Sequence, residues 1–286
     1  DERDPSKKVV SPVARRATAR HAIKRGISQR RAAWLCSTPR SGIDYRSRRE
    51  RHDRHLSRAL RIVARGDPSW GYRLVCGYLR LRGWPVNAKR VYRLWRLNGL
   101  CLPPYRPSRK IKSGAKLEGL ALRRNDVWAW DLVHDRYHDA EPLRCLTVKD
   151  EATGYCLAIE VGRHLHSGHI RSLLRQLITR YGAPRAIRSD NGGEVVANIL
   201  REEMDKRGIQ MATTDPGSPW QNGSNESFNG TFRRECLNAE VFASLTEARV
   251  VIEQWRCRYN NHRPHSSQHY VTPEMAYFGL RKLSRA

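Results

Sequence analysis

The spacing of apolar positions changes near residue 125. Before it, apolar residues recur every three to four positions, the period of helices that bury one face. "VARRATARHAIKRG" predicts an Ala-rich helix stopping at Gly26, and Ser28 stands where it can cap a second helix. That second helix would carry Gln29, Arg30 and Arg31 outward, with Ala32, Ala33 and Leu35 nearer the core. The outline fits a helix-turn-helix and a plain helical hairpin equally well. Further helices are expected over "RHLSRALRIVA", ending near Gly66, and over "SWGYRLVCGYLRLRG" after Pro68. "VNAKRVYRLWRLNGL" offers Asn87 as N-cap, Val91, Leu94 and Trp95 on one face, and Gly99 as the stop.

After residue 125 the period shortens toward two. "NDVWAWDLVHD", "PLRCLTVKD" and "GYCLAIEV" read as three short strands in an antiparallel meander. "SGHIRSLLRQLITRYG" follows as a helix with Ile170, Leu173, Leu174, Leu177, Ile178 and Tyr181 on one stripe, capped by Ser167 and closed by Gly182. A strand "RAIRSD", a helix over about 194–207, a strand "GIQMATT" and a helix beginning around Asn225 complete the series. This order predicts an α/β fold on a mixed five-stranded sheet, preceded by an all-α region.

Charge divides the chain at the same place. The net charge of +26 comes from 33 basic against 8 acidic residues in 1–124, and 21 against 20 in 125–286. A surplus so concentrated calls for a polyanionic partner, of which double-stranded DNA is the first candidate. Arg30, Arg31, Arg73, Arg80, Arg82, Lys89, Arg90, Arg93 and Arg96 are the expected phosphate contacts, with Tyr72 and Trp95 read as core rather than base-stacking residues. Residues 102–124 mix Pro, Gly and Ser with basic residues and read as a linker. The expected domains are therefore 1–45, 46–101, the linker 102–124, and 125–286. No apolar run approaches a membrane span or a signal peptide, so a soluble, cytoplasmic and nucleoid-associated protein is expected. The seven scattered cysteines lack a C-x-x-C, which argues for reduced thiols. The pairs His52/His55 and His134/His138 lack partner ligands for structural zinc.

Three acids carry the candidate chemistry. Asp131 lies mid-strand between Trp130 and Leu132, where an unpaired charge costs several kcal/mol and needs compensation. Asp190 closes a strand before "NGG", a turn that leaves space in front of its carboxylate. Glu226 follows with 35 residues between it and Asp190, near a helix start behind the Gly/Pro-rich segment 215–223. Three hard oxygen donors suit Mg²⁺ or Mn²⁺, with two ions supporting in-line phosphoryl transfer. Taken singly, each acid has a plainer reading: an arginine partner for Asp131, a turn for Asp190, the helix dipole for Glu226. Asp135, Asp150, Glu151 and Glu160 are rival acids whose places at turns and strand ends fit solvent exposure.

"VWAWDLVHD", "LTVKDEATGYCLAIEV", "RSDNGGEV", "PGSPWQNGSNESFNGTFRRECLN" and "YNNHRPHSSQHYVTPEMAY" closely resemble the OrfB-type transposases of the insertion-sequence-three family, within the retroviral-integrase-like DDE superfamily. "GISQRRAAWLC" and "SWGYRLVCGYLRLRGWPVNAKRVYRLWRLNGL" resemble that family's N-terminal helix-turn-helix region. The resemblance implies an RNase H-like core with Asp131, Asp190 and Glu226 as a D,D(35)E metal triad. It also implies DNA contacts at Asn191, Gln221, Asn222 and Arg233. Strand cleavage and joining at terminal inverted repeats, insertion into target DNA, and a homo-oligomer on DNA are implied too. An upstream reading frame fused or partnered to the chain is a further implication, compatible with the absence of an initiating methionine. Ser224, Asn225 and Arg234 depart from residues usual in such relatives. Arg263, His265 and Ser266 are expected to buttress the core, with Pro264 and Pro273 ending helices. A DNA-binding regulator without catalysis and a simple RNase H-like nuclease are the alternatives.

Overall fold

The computed structural model describes residues 11–45, 48–103, 121–138, 141–189, 200, 202–213 and 223–280. The chain forms two units, Asp1–Ala59 and Leu60–Ala286.

The first unit contains α1 (Pro12–Lys24), α2 (Gln29–Leu35), α3 (Arg40–Ile43) and the start of α4 (Arg48–Gly66). Pro12 opens α1 where its missing N–H is not needed, and the Ser11 hydroxyl accepts from the Ala14 N–H at 3.1 Å. Gly26 takes φ +90° between the helices, and Ser28 caps α2 as expected. The core is built of small residues, Ala19, Ala32 and Ala33, closed by Ile43. Leu35 is not part of it: it is 54% exposed, beside Trp34 at 79%. At 100° per residue, Leu35 falls on the flank of the face formed by Ala32, Ala33 and Cys36.

In the second unit, α5 (Tyr72–Leu81) and α6 (Ala88–Leu97) pack as a pair. The Asn87 side chain accepts from the Arg90 N–H at 2.8 Å, while Val91, Leu94 and Trp95 are buried. Tyr72 is half-buried against Tyr92, ring centroids 4.8 Å apart.

The sheet comprises β1 (Val127–Arg136), β2 (Pro142–Asp150), β3 (Cys156–Gly162), β4 (Ala186–Ser189) and β5 (Gln210–Thr213), in the order β3-β2-β1-β4-β5. The first three form the expected antiparallel meander, and β4 and β5 add in parallel. The β3 to β4 connection is α7 (Ser167–Tyr181). Its N-cap is His166, not Ser167: His166 holds an extended backbone and its N–H donates to His169 Nδ1 at 3.3 Å, while Ser167 is already helical. Of the helix expected at 194–207, positions 194–199 and 201 lie outside the described residues, and 202–205 are helical.

Alternation sends Trp128 and Trp130 to one face, against Leu174, Leu177 and Ile187. The other face carries Val133 and Cys145 against α8 (Gly223–Phe232) and α9 (Leu245–His262) through Phe228, Phe232 and Trp255. A π-helical turn, Arg233–Leu237, follows α8. The chain then leaves α9 at Pro264 and closes with α10 (Pro273–Tyr277). Pro273 begins that helix rather than ending one, because the first turn needs no N–H there, and Thr272 Oγ1 caps it by accepting from the Met275 N–H at 3.2 Å.

Candidate active site

β1 brings Asp131 to the face that α8 covers. Its Oδ1 accepts from the Leu132 N–H at 2.7 Å, and its Oδ2 accepts from Asn229 Nδ2 at 2.6 Å. Opposite it on β2 stands Thr147, whose hydroxyl donates to the Asp131 carbonyl at 3.2 Å. The compensation expected from a shared cation thus begins with the amide of Asn229, a residue that sequence reasoning missed. Its signal was its place three positions after Glu226, on the same side of a helix.

Glu226 lies in the first turn of α8 and is exposed. The flanking contacts of α8 lie on β1: Asn225 Nδ2 donates to the Trp130 carbonyl at 3.4 Å, and Asn229 reaches Asp131. Asp131 and Glu226 therefore belong to two elements packed along one another. The Asn229 Oδ1 is buried and has no partner among the described residues, an oxygen acceptor left open beside the carboxylate. Asp190, Asn191, Gln221 and Asn222 lie outside the described residues.

The rival acids Asp150 and Glu151 are not solvated. Asp150 is fully buried and accepts from the Asn125 N–H at 2.8 Å, the Thr153 N–H at 2.9 Å and the Thr153 hydroxyl at 2.6 Å. Burial pushes its carboxyl above the usual range despite these bonds. Glu151 is held by Arg188 Nη1 at 3.0 and 3.1 Å. Both acids are consumed in holding the start of the sheet together.

Lys149, also missed, is 4% exposed and projects from β2 toward α8, where its Nζ donates to the Ser224 carbonyl and, at 2.7 Å, to the Ser224 hydroxyl. Burial lowers its pKa to about 8. Ser224 and Asn225, the departures noted in the sequence, are thus the residues by which α8 docks on β1 and β2. Arg233 is exposed and its Nη2 donates to the His134 carbonyl at 2.9 Å. Arg30, Arg31, Arg73, Lys89 and Arg93 are exposed and Arg90 half-buried. Among the described residues no three His, Cys, Asp or Glu side chains gather into a metal cage, and no helix is long and apolar enough to cross a membrane.

Two integrase core domain profiles match the chain, over residues 121–219 and 207–273, and an HTH-like domain matches 50–108. The transposase InsD of insertion element IS2 in Escherichia coli is 31% identical over 245 residues, covering 79% of this chain and 80% of its own length. The chain belongs to the OrfB-type transposases of the insertion-sequence-three family. A 39.2 kDa protein of insertion element IS476 from Xanthomonas euvesicatoria is 34% identical over 268 residues, covering 93% of this transposase and 77% of that protein. Among solved structures, a chain of the simian T-cell lymphotropic virus intasome in complex with PP2A regulatory subunit B56 gamma aligns with a TM-score of 0.48 at 18% identity, covering 73% of this chain and 72% of that one. The mixed sheet of the transposase, with its flanking helices, is an RNase H-like integrase core. The transposase is a DDE polynucleotidyl transferase.

Proposed function

We propose that the transposase cuts and joins DNA strands at the ends of its element, with Asp131, Asp190 and Glu226 as the metal-binding triad. The observation that carries this reading is the Asn229 bridge: one side chain of α8 grips Asp131 while Glu226 stands three residues before it. The third acid is supported by its place in the sequence. Asp190 lies outside the described residues but directly follows in the sequence Ser189, the last residue of β4, which pairs in parallel with β1.

The residues fit a hard divalent cation. The donors are carboxylate oxygens, and the buried, unpartnered Asn229 Oδ1 provides one more oxygen acceptor for a hydrated ion. Mg²⁺ or Mn²⁺, as a pair of ions, would supply Lewis acidity to the attacking and leaving oxygens. The chain's own contribution is positional. Asn229 fixes the rotamer of Asp131, Lys149 secures the start of α8 through Ser224, and Arg233 ties its end to β1.

Phosphate contacts fall to Arg30, Arg31, Arg73, Lys89, Arg90, Arg93 and Arg233, together with Asn191, Gln221 and Asn222. These fix register on a duplex without reading sequence. Two element ends held together require more than one protomer, and an upstream-frame product joins the assembly as fusion or partner.

The test is cleavage and joining of a duplex carrying the element's terminal repeat, with Mg²⁺, Mn²⁺ or chelator, by the parent and Asp190→Asn, each also as the upstream-frame fusion. Metal-dependent joined products from the parent, and duplex binding without cutting by the variant, are expected. Binding without cutting by every parent form leaves a DNA-binding regulator; cut but never joined strands leave a nuclease.

A further inference from the structure

A second polar site lies on the other side of α8. Asn229 and Arg233 reach β1 from one side of the helix, at helical spacing from the exposed Glu226, whereas Ser224, Ser227, Thr231 and Arg234 repeat at the same spacing on another side. That second stripe faces a cavity of about 410 Å³, closed by the end of β2 and by the segment 263–268.

The charges around this cavity do not cancel. Glu151, on its wall, is already paired with Arg188, and Arg263 is paired with Glu235 through Nε at 3.0 Å to both oxygens. Lys149 and Arg234 remain. Among the described residues, the hydrogen-bond acceptors of Lys149 are the carbonyl and hydroxyl of Ser224, and that of Arg234 is the Thr231 hydroxyl at 3.4 Å. His265 Nε2 is buried on the same wall without a partner among the described residues. Its imidazole is neutral, because burial lowers its pKa to about 3, so Nε2 is free to carry a proton and donate it. Serine hydroxyls at 227, 266 and 267 complete a lining of donors. Glu151 and Asp150 offset part of the Lys149 charge, but its Nζ donates to no carboxylate among the described residues. A buried ammonium held by neutral acceptors is costly, and an anion is the group that would relieve it further.

We propose that this cavity binds a phosphate group, gripped by Lys149 and Arg234 and hydrogen-bonded by His265 and the serine hydroxyls. Bound there, the phosphate braces the back of the helix whose front carries Glu226. The site would accept either free phosphate or a phosphate of the DNA backbone, which share this chemistry. It goes beyond the triad reading and is independent of it.

The test uses the full chain with chelator present, so that failure of the metal site cannot affect it. Inorganic phosphate is titrated against chloride at equal ionic strength while thermal unfolding is followed, in the parent, Arg234→Gln and Lys149→Met. In parallel, the affinity of a plain duplex is measured against salt. If free phosphate is the ligand, it raises the parent Tm by a few degrees, and Arg234→Gln at least halves the shift. If a DNA phosphate is the ligand, both variants lower the slope of log affinity against log salt by about 0.9, and inorganic phosphate competes with the duplex more effectively in the parent. Arg234 is exposed, so its variant remains informative if the buried lysine variant does not fold. Equal responses of the parent and Arg234→Gln in both arms overturn the proposal. So does a slope change in Arg234→Gln that a folded Lys149→Met does not share.

Discussion

The side chain of Asn229 donates to Asp131 across the junction of α8 and β1, at 2.6 Å from Nδ2 to Oδ2. A carboxylate that already accepts from the Leu132 N–H is thereby fixed in rotation, with the unpartnered Asn229 Oδ1 beside it. Replacing Asn229 with Ala removes one of the bonds that orient Asp131 without removing any charge. Strand joining is expected to fall about 10- to 100-fold, the usual cost of losing an outer-shell orienting group, with duplex affinity unchanged. Undiminished joining by a folded variant would remove Asn229 from the site.

Lys149 ties the sheet to the start of α8, and its proton is held less tightly in the folded chain than in the unfolded one. Between pH 8 and 10.5 the unfolded chain binds more protons at this site, so the contribution of Lys149 to stability rises with pH across that window. Below it the burial penalty is at its full value. Denaturant midpoints of the parent minus those of Lys149→Met should climb from pH 8 to 10.5. A flat difference would mean that the ammonium is not desolvated.

At His265 the window is acidic. The folded imidazole stays neutral down to about pH 3, while the unfolded one protonates near 6.5. Stability from this site is complete above 6.5 and is lost as pH falls from 6.5 toward 3. Relative to His265→Gln, the parent should lose stability with a slope approaching one proton. Equal acid profiles of the two proteins would contradict the burial of this ring.

Gly77 sits in α5 where an added Cβ would meet Tyr270 Cδ1 at 2.6 Å and Cβ at 2.9 Å. In an open helix Gly77→Ala would stabilise by roughly 1 kcal/mol. Here overpacking reverses the sign, and a net loss of about 1–2 kcal/mol is expected. Tyr270 itself holds φ +63°, so Tyr270→Gly removes both the obstruction and a backbone strain. The double variant should recover the helix gain of Gly77→Ala. Additive losses in calorimetry would show that the two residues do not touch.

Periodicity placed most of the elements, though α3 and α9 were not among those it predicted. The change of spacing near residue 125 separates helices from strands, and Ser28, Asn87, Gly26 and Gly99 mark helix ends, because capping and left-handed backbone depend on single residues and their immediate neighbours. The meander, the mixed sheet and the place of Asp131 on β1 followed from the same local rules. Leu35 did not, since a seven-residue helix shows too little of its period to say which flank its last residue joins. Nor did Asp150 and Glu151: their turn positions suggested solvent, but Asn125 and Arg188 close over them from 25 and 37 positions away, with Thr153 adding local bonds to Asp150. The sequence by itself thus determined the order of elements and the acids that could do chemistry. Tertiary structure decided which acids are consumed by structure, that Asn229 holds Asp131, and that Lys149 is buried beneath α8. Those are pairings between residues 25 to 98 positions apart, which no local pattern records, because they exist only once the sheet and its covering helix have packed.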